Sequence, residues 1–283
     1  MRLAIFSLLA FSAFTASAEN WPQWRGPRLD GTSQDTGFPL KAETATLQWK
    51  TELPGSGHAS PIVWGDRVFT ISATEAGERL LLALDRTSGQ LLWQTSVLKA
   101  PLEFIHKLNT QASSTPATDG EKIFTAFLDN SETPETKKAN EGRVIPKGEV
   151  PKGTVVISAH DFTGQQVWQV RPGLFSSKHG FCSSPVVFKD KVIVNCDHDG
   201  EGYIVALARA DGRELWRIVR PNNTRSYCVP LIREIGGRTQ MVLSGTMCVT
   251  SYDPRTGKLL WIIDGPTEQF VASLVYDEKS GHL

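Results

Sequence analysis

Short runs of apolar and β-branched residues alternate with polar turns along most of this chain of 283 residues. Typical runs are residues 67–71 (RVFTI) and 191–194 (KVIV), and Gly-Asp, Lys-Asp or Thr-Gly pairs separate such runs. Short runs rich in Val, Ile, Thr and Phe between turns favour β-strands. The pattern therefore predicts an all-β protein built from short antiparallel strands.

The strands recur as a repeat that closes on a tryptophan. In four copies a glycine stands four positions before the tryptophan, in the pairs Gly89 and Trp93, Gly164 and Trp168, Gly212 and Trp216, and Gly257 and Trp261. Each copy also has an upstream proline, at Pro61, Pro116, Pro185 and Pro230. The proline and the tryptophan are 32 residues apart in the first copy and 31 residues apart in the third and fourth. Each copy has room for about four antiparallel strands, which form one blade of a β-propeller.

The glycine and the tryptophan of each copy have separate expected roles. Glycine allows the positive φ that a tight turn between the third and fourth strands needs. The tryptophan lies on the outer strand and offers a large flat surface that can cover the seam with the next blade. We expect this docking role for Trp49, Trp93, Trp168, Trp216 and Trp261.

The second copy is longer than the others, with 52 residues between Pro116 and Trp168. Its excess lies in residues 129–153, a polar stretch with several prolines and many charges. Such a composition buries too little apolar surface to pack. We therefore expect residues 129–153 to be a loop inserted between two strands of the blade.

The repeats do not add up to a closed ring. A single closing element at Trp49 precedes the first copy, four complete copies follow, and a fifth begins at residues 270–276. Blades must stack until the ring closes, typically with about four to eight of them. We expect a C-terminally incomplete propeller over residues 19–283, with about four to five blades present of about seven or eight in the complete ring.

The N-terminus has the pattern of a secretory signal peptide. A basic start precedes an apolar run from residue 4 to residue 14, and the small residues Ala16, Ser17 and Ala18 follow. The run is shorter than the ~20 residues that a membrane-spanning helix needs. No cysteine follows it, so a lipid anchor is not expected. We expect a signal peptide over residues 1–18 and a periplasmic or secreted protein without a membrane span.

Composition narrows the partners and leaves the state of the cysteines open. Thirty Lys and Arg residues balance 30 Asp and Glu residues, so nucleic acid is not an expected partner.

The four cysteines, Cys182, Cys196, Cys228 and Cys248, allow three pairings in an oxidising compartment. If residues 186–188 and 192–194 pair across a turn, Cys182 falls nearly opposite Cys196, which would allow a disulfide. Four buried free thiols are an equal alternative.

The end of the repeat, which in the first copy comprises Asp85, Gly89 and Trp93, resembles the tryptophan-docking repeat of pyrroloquinoline-quinone (PQQ) type propellers. Residues 21–27 (WPQWRGP) are similar to the mature N-terminus of bacterial PQQ-binding-like proteins. The resemblance covers nearly all of the chain after the signal peptide. Two copies depart from the pattern: the second is one residue short, and the third has Ala208 in place of the aspartate.

The resemblance implies three classes of function. Quinoprotein dehydrogenases hold PQQ and calcium in the central funnel beneath a disulfide between adjacent cysteines, and this chain has no adjacent cysteines. A related outer-membrane assembly lipoprotein uses its propeller as a non-catalytic scaffold, and many PQQ-binding-like propellers are uncharacterised. We expect a scaffold or binding module for an unidentified protein, small molecule or glycan. The alternatives are a PQQ-dependent oxidoreductase of alcohols or sugars and a polysaccharide-binding propeller.

Loops that lead into the innermost strands ring the funnel of a propeller, so residues before each repeat's proline are candidate ligand contacts. These positions hold polar, cationic and aromatic residues, namely His58, Lys107, Asn109, Gln111, Lys178, His179, Arg225 and Tyr227. Lys107, Lys178 and Arg225 would suit an anionic or sugar-like ligand. The alternative is that these side chains are hydrated or bonded to neighbouring loops.

Other motifs give weaker signals. Residues 197–201 (DHDGE) have closely spaced carboxylates, which suit calcium, but we expect a solvated hairpin turn there. The chain lacks the H-x-x-x-H and C-x-x-C spacings of zinc sites and the G-x-S-x-G nucleophile elbow. No catalytic or metal-ligating residue is therefore predicted.

Overall fold

The computed structural model describes residues 18–39, 41, 46–144, 152–177, 179–265 and 267–283. Residues 1–17 of the predicted signal peptide lie outside the described residues, and so does Lys178. Within these described ranges, no helix is long and apolar enough to cross a membrane.

The described chain forms four antiparallel sheets that follow one another in sequence, each with its strands in chain order. The first consists of β1 (Ile62–Trp64), β2 (Arg67–Ala73), β3 (Glu78–Asp85) and β4 (Leu91–Lys99). The second consists of β5 (Ala117–Thr118), β6 (Lys122–Asp129), β7 (Gly153–Asp161) and β8 (Gln166–Val170), with β9 (Leu174–Phe175) also paired to β7. The third consists of β10 (Val186–Phe188), β11 (Lys191–Cys196), β12 (Tyr203–Ala208) and β13 (Glu214–Val219). The fourth consists of β14 (Leu231–Ile235), β15 (Arg238–Gly245), β16 (Cys248–Tyr252) and β17 (Leu259–Asp264). These meanders are the predicted propeller blades.

The third and fourth strands of every blade share a β-bulge beside the docking tryptophan. The bulge directly follows a pair between a small residue and that tryptophan: Ala83 with Trp93, Ala159 with Trp168, Ala206 with Trp216 and Ser251 with Trp261. A bulge bends the strand and re-aims the side chains next to it. The direction of the tryptophan is therefore built into each blade.

Four of the five expected tryptophans dock on the glycine turn of the following repeat. The pairs are Trp49 on Gly89, Trp93 on Gly164, Trp168 on Gly212 and Trp216 on Gly257. All four glycines have a positive φ between 70° and 87°, and a Cβ on any of them would lie only 2.4–3.0 Å from the indole. The indole N–H groups of Trp49, Trp93 and Trp168 also donate to backbone carbonyls of the turn at 2.9–3.1 Å. Trp261 instead donates to Gln240 of its own blade, at 2.8 Å.

The hydrophobic core lies between the blades. Three clusters fill the three seams in turn, and their central residues are Phe69, Leu81 and Phe127, then Phe124, Val155 and Val194, then Ile193, Ile204 and Leu243. Each blade supplies residues to the clusters on both of its faces where it has two neighbours. The blades therefore stabilise one another as stacked repeats do.

The insertion in the second blade is not a loop throughout. Its first part forms α1 (Pro134–Asn140). The Thr133 hydroxyl accepts from the backbone N–H of Thr136 at 3.1 Å, and the Thr136 hydroxyl accepts from the backbone N–H of Thr133 at 2.8 Å. This reciprocal capping, with a proline in the first turn, starts a helix. The prediction of a loop over residues 129–153 is wrong for α1, because polar composition does not prevent a well-capped short helix. Residues 145–151 of the predicted loop lie outside the described residues.

Residues 20–31, here called the hub segment, run across the innermost strands of all four blades. Its contacts in chain order are Trp21 with Val63 of β1, Pro22 with Thr118 of β5, Gln23 with Val187 of β10, and Leu29 with Leu231 of β14. The first three contacts are hydrogen bonds of 2.8–3.1 Å, and the fourth is apolar packing. The hub segment therefore joins the blades along the inner side of the ring.

Candidate functional site

The loops before β1, β5 and β10 meet at one mouth of the central channel and are bonded to one another. The residue just before each proline makes the link: the Ser60 N–H donates to the Thr115 hydroxyl at 3.0 Å, and the Thr115 N–H donates to the Ser184 hydroxyl at 2.9 Å. The Ser114 hydroxyl adds a bond of 2.8 Å to the Ser183 carbonyl. Because these groups are buried or half-buried, the links hold the wall of the funnel in a defined shape.

A cavity of about 260 Å³ opens at this mouth. We call it the upper cavity, and its lining comprises His106, Leu108, Asn109, His179, Cys182, Tyr227, Gln269 and Val271. The His179 ring stacks edge-on against both His106 and Tyr227, with ring centroids 5.5 and 5.7 Å apart. Three aromatic side chains from three blades thus form a continuous surface along one wall.

Hydrogen bonds hold this wall in place. The hydroxyls of Tyr227 and Ser177 are 2.8 Å apart, and the Asn109 side-chain amide donates to the His179 carbonyl. Burial raises the pKa of Tyr227, so its hydroxyl stays protonated at neutral pH. The wall therefore presents neutral donors and acceptors beside aromatic rings.

A second cavity of about 190 Å³, here called the lower cavity, adjoins the first. It shares Cys182, Tyr227 and Val271 with the upper cavity and adds Trp24, His58, Ser113, Thr115, Ser184, Val229 and Ser273. Trp24 belongs to the hub segment, and its indole N–H donates to the Ser273 hydroxyl at 3.4 Å. The hub segment therefore supplies an aromatic side chain to the lower cavity.

Of the predicted site residues, four line the funnel: His58, Asn109, His179 and Tyr227. Lys107 is exposed and belongs to neither lining. The Gln111 side chain donates to the Glu103 carbonyl at 3.1 Å. Arg225 forms an ion pair of 2.7 Å with Asp199, so its charge is already partnered within the chain.

Sequence reasoning missed several lining residues, among them Trp24 and His106. His106 stands in the same loop as Lys107. The alternation of side chains along that loop was the signal that could have identified His106. Trp24 lies far from every repeat loop in the chain, so only the similarity of residues 21–27 to a known motif pointed to it. The aromatic character of the funnel was therefore underestimated.

Residues 197–201 form a connection between strands, as the sequence predicts, but the first two residues of this connection are not solvated. They connect β11 to β12, and Asp197 and His198 are buried, at 1% and 2% exposure. Asp197 pairs with the equally buried Arg220 at 2.9 Å. Burial raises the pKa of Asp197 to about 6, and the Arg220 guanidinium opposes that rise. The carboxylate thus balances an internal cation, because Arg220 at the end of β13 reaches back to this turn.

All four cysteines are free thiols, so the Cys182–Cys196 disulfide is not present. The hairpin itself is as predicted, with Phe188 paired to Lys191. Extending its register from the pair Val186 and Ile193 places residue 183, not residue 182, opposite Cys196. Cys182 lines the funnel, whereas Cys196 lies in the core between the second and third blades.

The funnel lining does not fit calcium-held PQQ. Calcium sites combine carboxylates with neutral carbonyl oxygens, whereas the two cavity linings contain the amides of Asn109 and Gln269 but no Asp or Glu side chain. Across the described ranges, no three His, Cys, Asp or Glu side chains are grouped so that they could hold a metal ion.

The geometry can be set beside known proteins. A model of the family described as outer membrane protein assembly factor BamB matches residues 31–131 and 83–274, which together span most of the chain. The chain belongs to this family. A search of curated protein sequences finds no match.

Solved structures are similar to the chain at low sequence identity. The quinohemoprotein alcohol dehydrogenase from Comamonas testosteroni is 15% identical, with a TM-score of 0.59 over 87% of this chain and 41% of that one. BamB from Moraxella catarrhalis is 19% identical, with a TM-score of 0.48 over 79% and 56% of the two chains. A europium-containing methanol dehydrogenase is 14% identical, with a TM-score of 0.49 over 86% and 58%. The first match confirms the propeller fold, and the chain spans about half the length of these structures.

Proposed function

We propose that the protein is an extracytoplasmic binding module whose central funnel takes a segment of a partner protein or a small polar molecule. The observation that carries the proposal is the aromatic wall of His106, His179 and Tyr227 above Trp24. Concave sites lined by aromatic rings and a few fixed polar groups are typical of ligand binding. Membership of a family described as an outer-membrane assembly factor supports both the scaffold role and a place outside the cytoplasm.

A glycan is the second candidate ligand, favoured by the same wall. Sugar rings bind by stacking on aromatic faces and by hydrogen bonds to neutral side chains, and the funnel offers both through Tyr227, Trp24 and Asn109. A strongly anionic ligand is less favoured because Arg225 is already paired with Asp199. The quinoprotein alternative has no supporting observation in the lining.

The test is a binding screen of the purified chain on glycan and peptide arrays, with PQQ plus calcium as a third probe. A hit is then titrated against Tyr227→Ala, which removes one ring of the wall and is expected to weaken binding by about tenfold or more. Lys107→Ala is the matched control, because Lys107 is on the same rim but outside both linings.

Unchanged affinity of Tyr227→Ala would place the ligand elsewhere and contradict the proposal. Saturable uptake of PQQ with calcium, followed by dye reduction with an alcohol or a sugar, would replace it with the oxidoreductase alternative.

A further inference from the structure

The backbone nitrogen of Glu19 is held by a carboxylate from a later part of the chain. It donates to both carboxylate oxygens of Asp35, each at 3.0 Å. An amide has one hydrogen for these two acceptors, whereas an ammonium group has three hydrogens and a positive charge. The Asp35 carboxylate is thus better matched to the α-ammonium group of a chain terminus than to the single N–H of a peptide bond.

The side chain of Glu19 is bound just as specifically. Arg28 donates to its two carboxylate oxygens at 2.5 and 3.0 Å, and the Gln34 N–H and the Ser33 hydroxyl donate at 3.0 and 3.2 Å. These hydrogen bonds, Arg28 first among them, lower the pKa of Glu19 to about 2. Residues 28–35 therefore form a cradle that recognises residue 19 through both its backbone nitrogen and its side chain.

The residues just before Glu19 have the pattern that signal peptidases cleave, with Ala16 and Ala18 as the small positions. We propose that hydrolysis of the Ala18–Glu19 peptide bond makes Glu19 the mature N-terminus, and that its α-ammonium group docks on Asp35. Water adds across the bond, so the carboxylate leaves with Ala18 and the new amine takes up a proton. This inference rests on the proposed export.

Docking of the new terminus anchors the hub segment. The next residue, Asn20, accepts from the Gly65 N–H at 2.8 Å, and Trp21 then pairs with Val63. Three residues after Trp21, the same segment supplies Trp24 to the lower cavity. Cleavage after Ala18 would thus hold the start of the hub segment in place, and the hub segment supplies Trp24 to the funnel lining.

The first experiment exports the full chain with its own leader and determines the N-terminus by sequencing and intact mass. We expect the mature chain to begin at Glu19. A mature chain that begins at any other residue overturns the inference but leaves the export proposal standing. A chain that stays unprocessed in the cytoplasm contradicts the export proposal as well.

The second experiment measures acylation of the α-amine in the processed protein. The ordinary pKa of an α-amine is about 7.7–8.0, and the Asp35 carboxylate raises it, since an opposite charge favours the ammonium form. Arg28, Asp30 and the Glu19 carboxylate also face this region. We expect Asp35→Asn to speed acylation at pH 7.5 by about threefold or more, since each pKa unit is tenfold. Asp211→Asn, in an exposed turn far along the chain, is the control.

Thermal unfolding gives an independent readout. A raised amine pKa stabilises the fold at pH values below the pKa of the unfolded state. This stabilisation is lost as the pH rises through the pKa of the folded state. Asp35→Asn should therefore lower Tm by about 1–3 °C at pH 7 and by nothing above about pH 10. A chain with Ala18 retained before Glu19 should also lose stability at pH 7, and adding Asp35→Asn to it should cost less than in the processed chain, because only the bond from a neutral amide is then lost. Equal acylation rates in the wild-type protein and in Asp35→Asn would overturn the docking inference. Fully additive losses of Tm from Asp35→Asn and from retention of Ala18 would also overturn it.

Discussion

His160 occupies the position that the other three repeats fill with Leu84, Leu207 and Tyr252, directly before the docking turn. It is completely buried, and neither ring nitrogen has a hydrogen-bond partner among the described residues. Burial lowers its pKa from 6.5 to about 4. A buried polar group without partners costs free energy that an apolar side chain would not.

We expect His160→Leu to raise the free energy of unfolding by about 1–3 kcal/mol at pH 7. The pH dependence should also change. Because the histidine stays neutral in the fold while the unfolded chain protonates below pH 6.5, the wild-type protein should lose on the order of 2 kcal/mol between pH 6.5 and 4. His160→Leu should lack that loss. Urea unfolding at several pH values checks both expectations, with the exposed His282→Leu as control; equal pH slopes would refute the assignment.

At the scale of elements, the seam between two blades depends on one backbone conformation. Gly212 has a φ of +76°, and a Cβ there would lie 2.7 Å from Trp168. The third repeat docks despite having Ala208 in place of aspartate, because the Gly212 N–H still bonds the Ala208 carbonyl at 2.9 Å. The second repeat docks despite its missing residue, with Gly164 beneath Trp93. The glycine therefore matters more to docking than the aspartate.

Gly212→Ala and Gly237→Ala separate backbone strain from lost docking. Gly237 has a similar φ of +73° with nothing within 4 Å of its Cβ position. Gly237→Ala should cost about 1–2 kcal/mol for the left-handed backbone alone. Gly212→Ala must also displace the Trp168 indole, and we expect a total of about 3 kcal/mol or more. Urea unfolding measures both, and equal losses would show that the indole contact adds nothing.

For the whole molecule, the hub segment is the one element that contacts the innermost strand of every described blade. Leu29 is 7% exposed and packs in a cluster with Val186 and Leu231, which come from two different blades. The hub segment therefore couples the stability of blades that are far apart in the chain.

We expect Leu29→Ala to lower the free energy of unfolding by about 2–4 kcal/mol. Hydrogen exchange should show the loss of protection in β10 and β14, although neither strand carries the substitution. Phe38→Ala is the control, since Phe38 is 64% exposed, and should change neither measurement. A loss of protection confined to residues next to Leu29 would contradict coupling through the hub segment.

The blades and their docking could be predicted from the amino-acid sequence, because both are local. Strand runs, glycine turns and the spacing to tryptophan all lie within a single repeat, and four copies repeat the same information. Family membership follows from the same residues. The insertion was only partly predictable, since the capping of α1 by Thr133 and Thr136 outweighed a polar composition.

The funnel was decided by the tertiary structure, because its parts come from distant places in the chain. Trp24, His106, His179 and Tyr227 are brought together only by the stacking of blades and by the hub segment. Tertiary context also decides the state of two cysteines and the burial of one turn residue. A one-residue difference in register separates Cys182 from Cys196, and Arg220, at the end of a neighbouring strand, draws Asp197 into the interior. Local patterns specify which strands form, whereas register and long-range charge pairing settle which side chains meet.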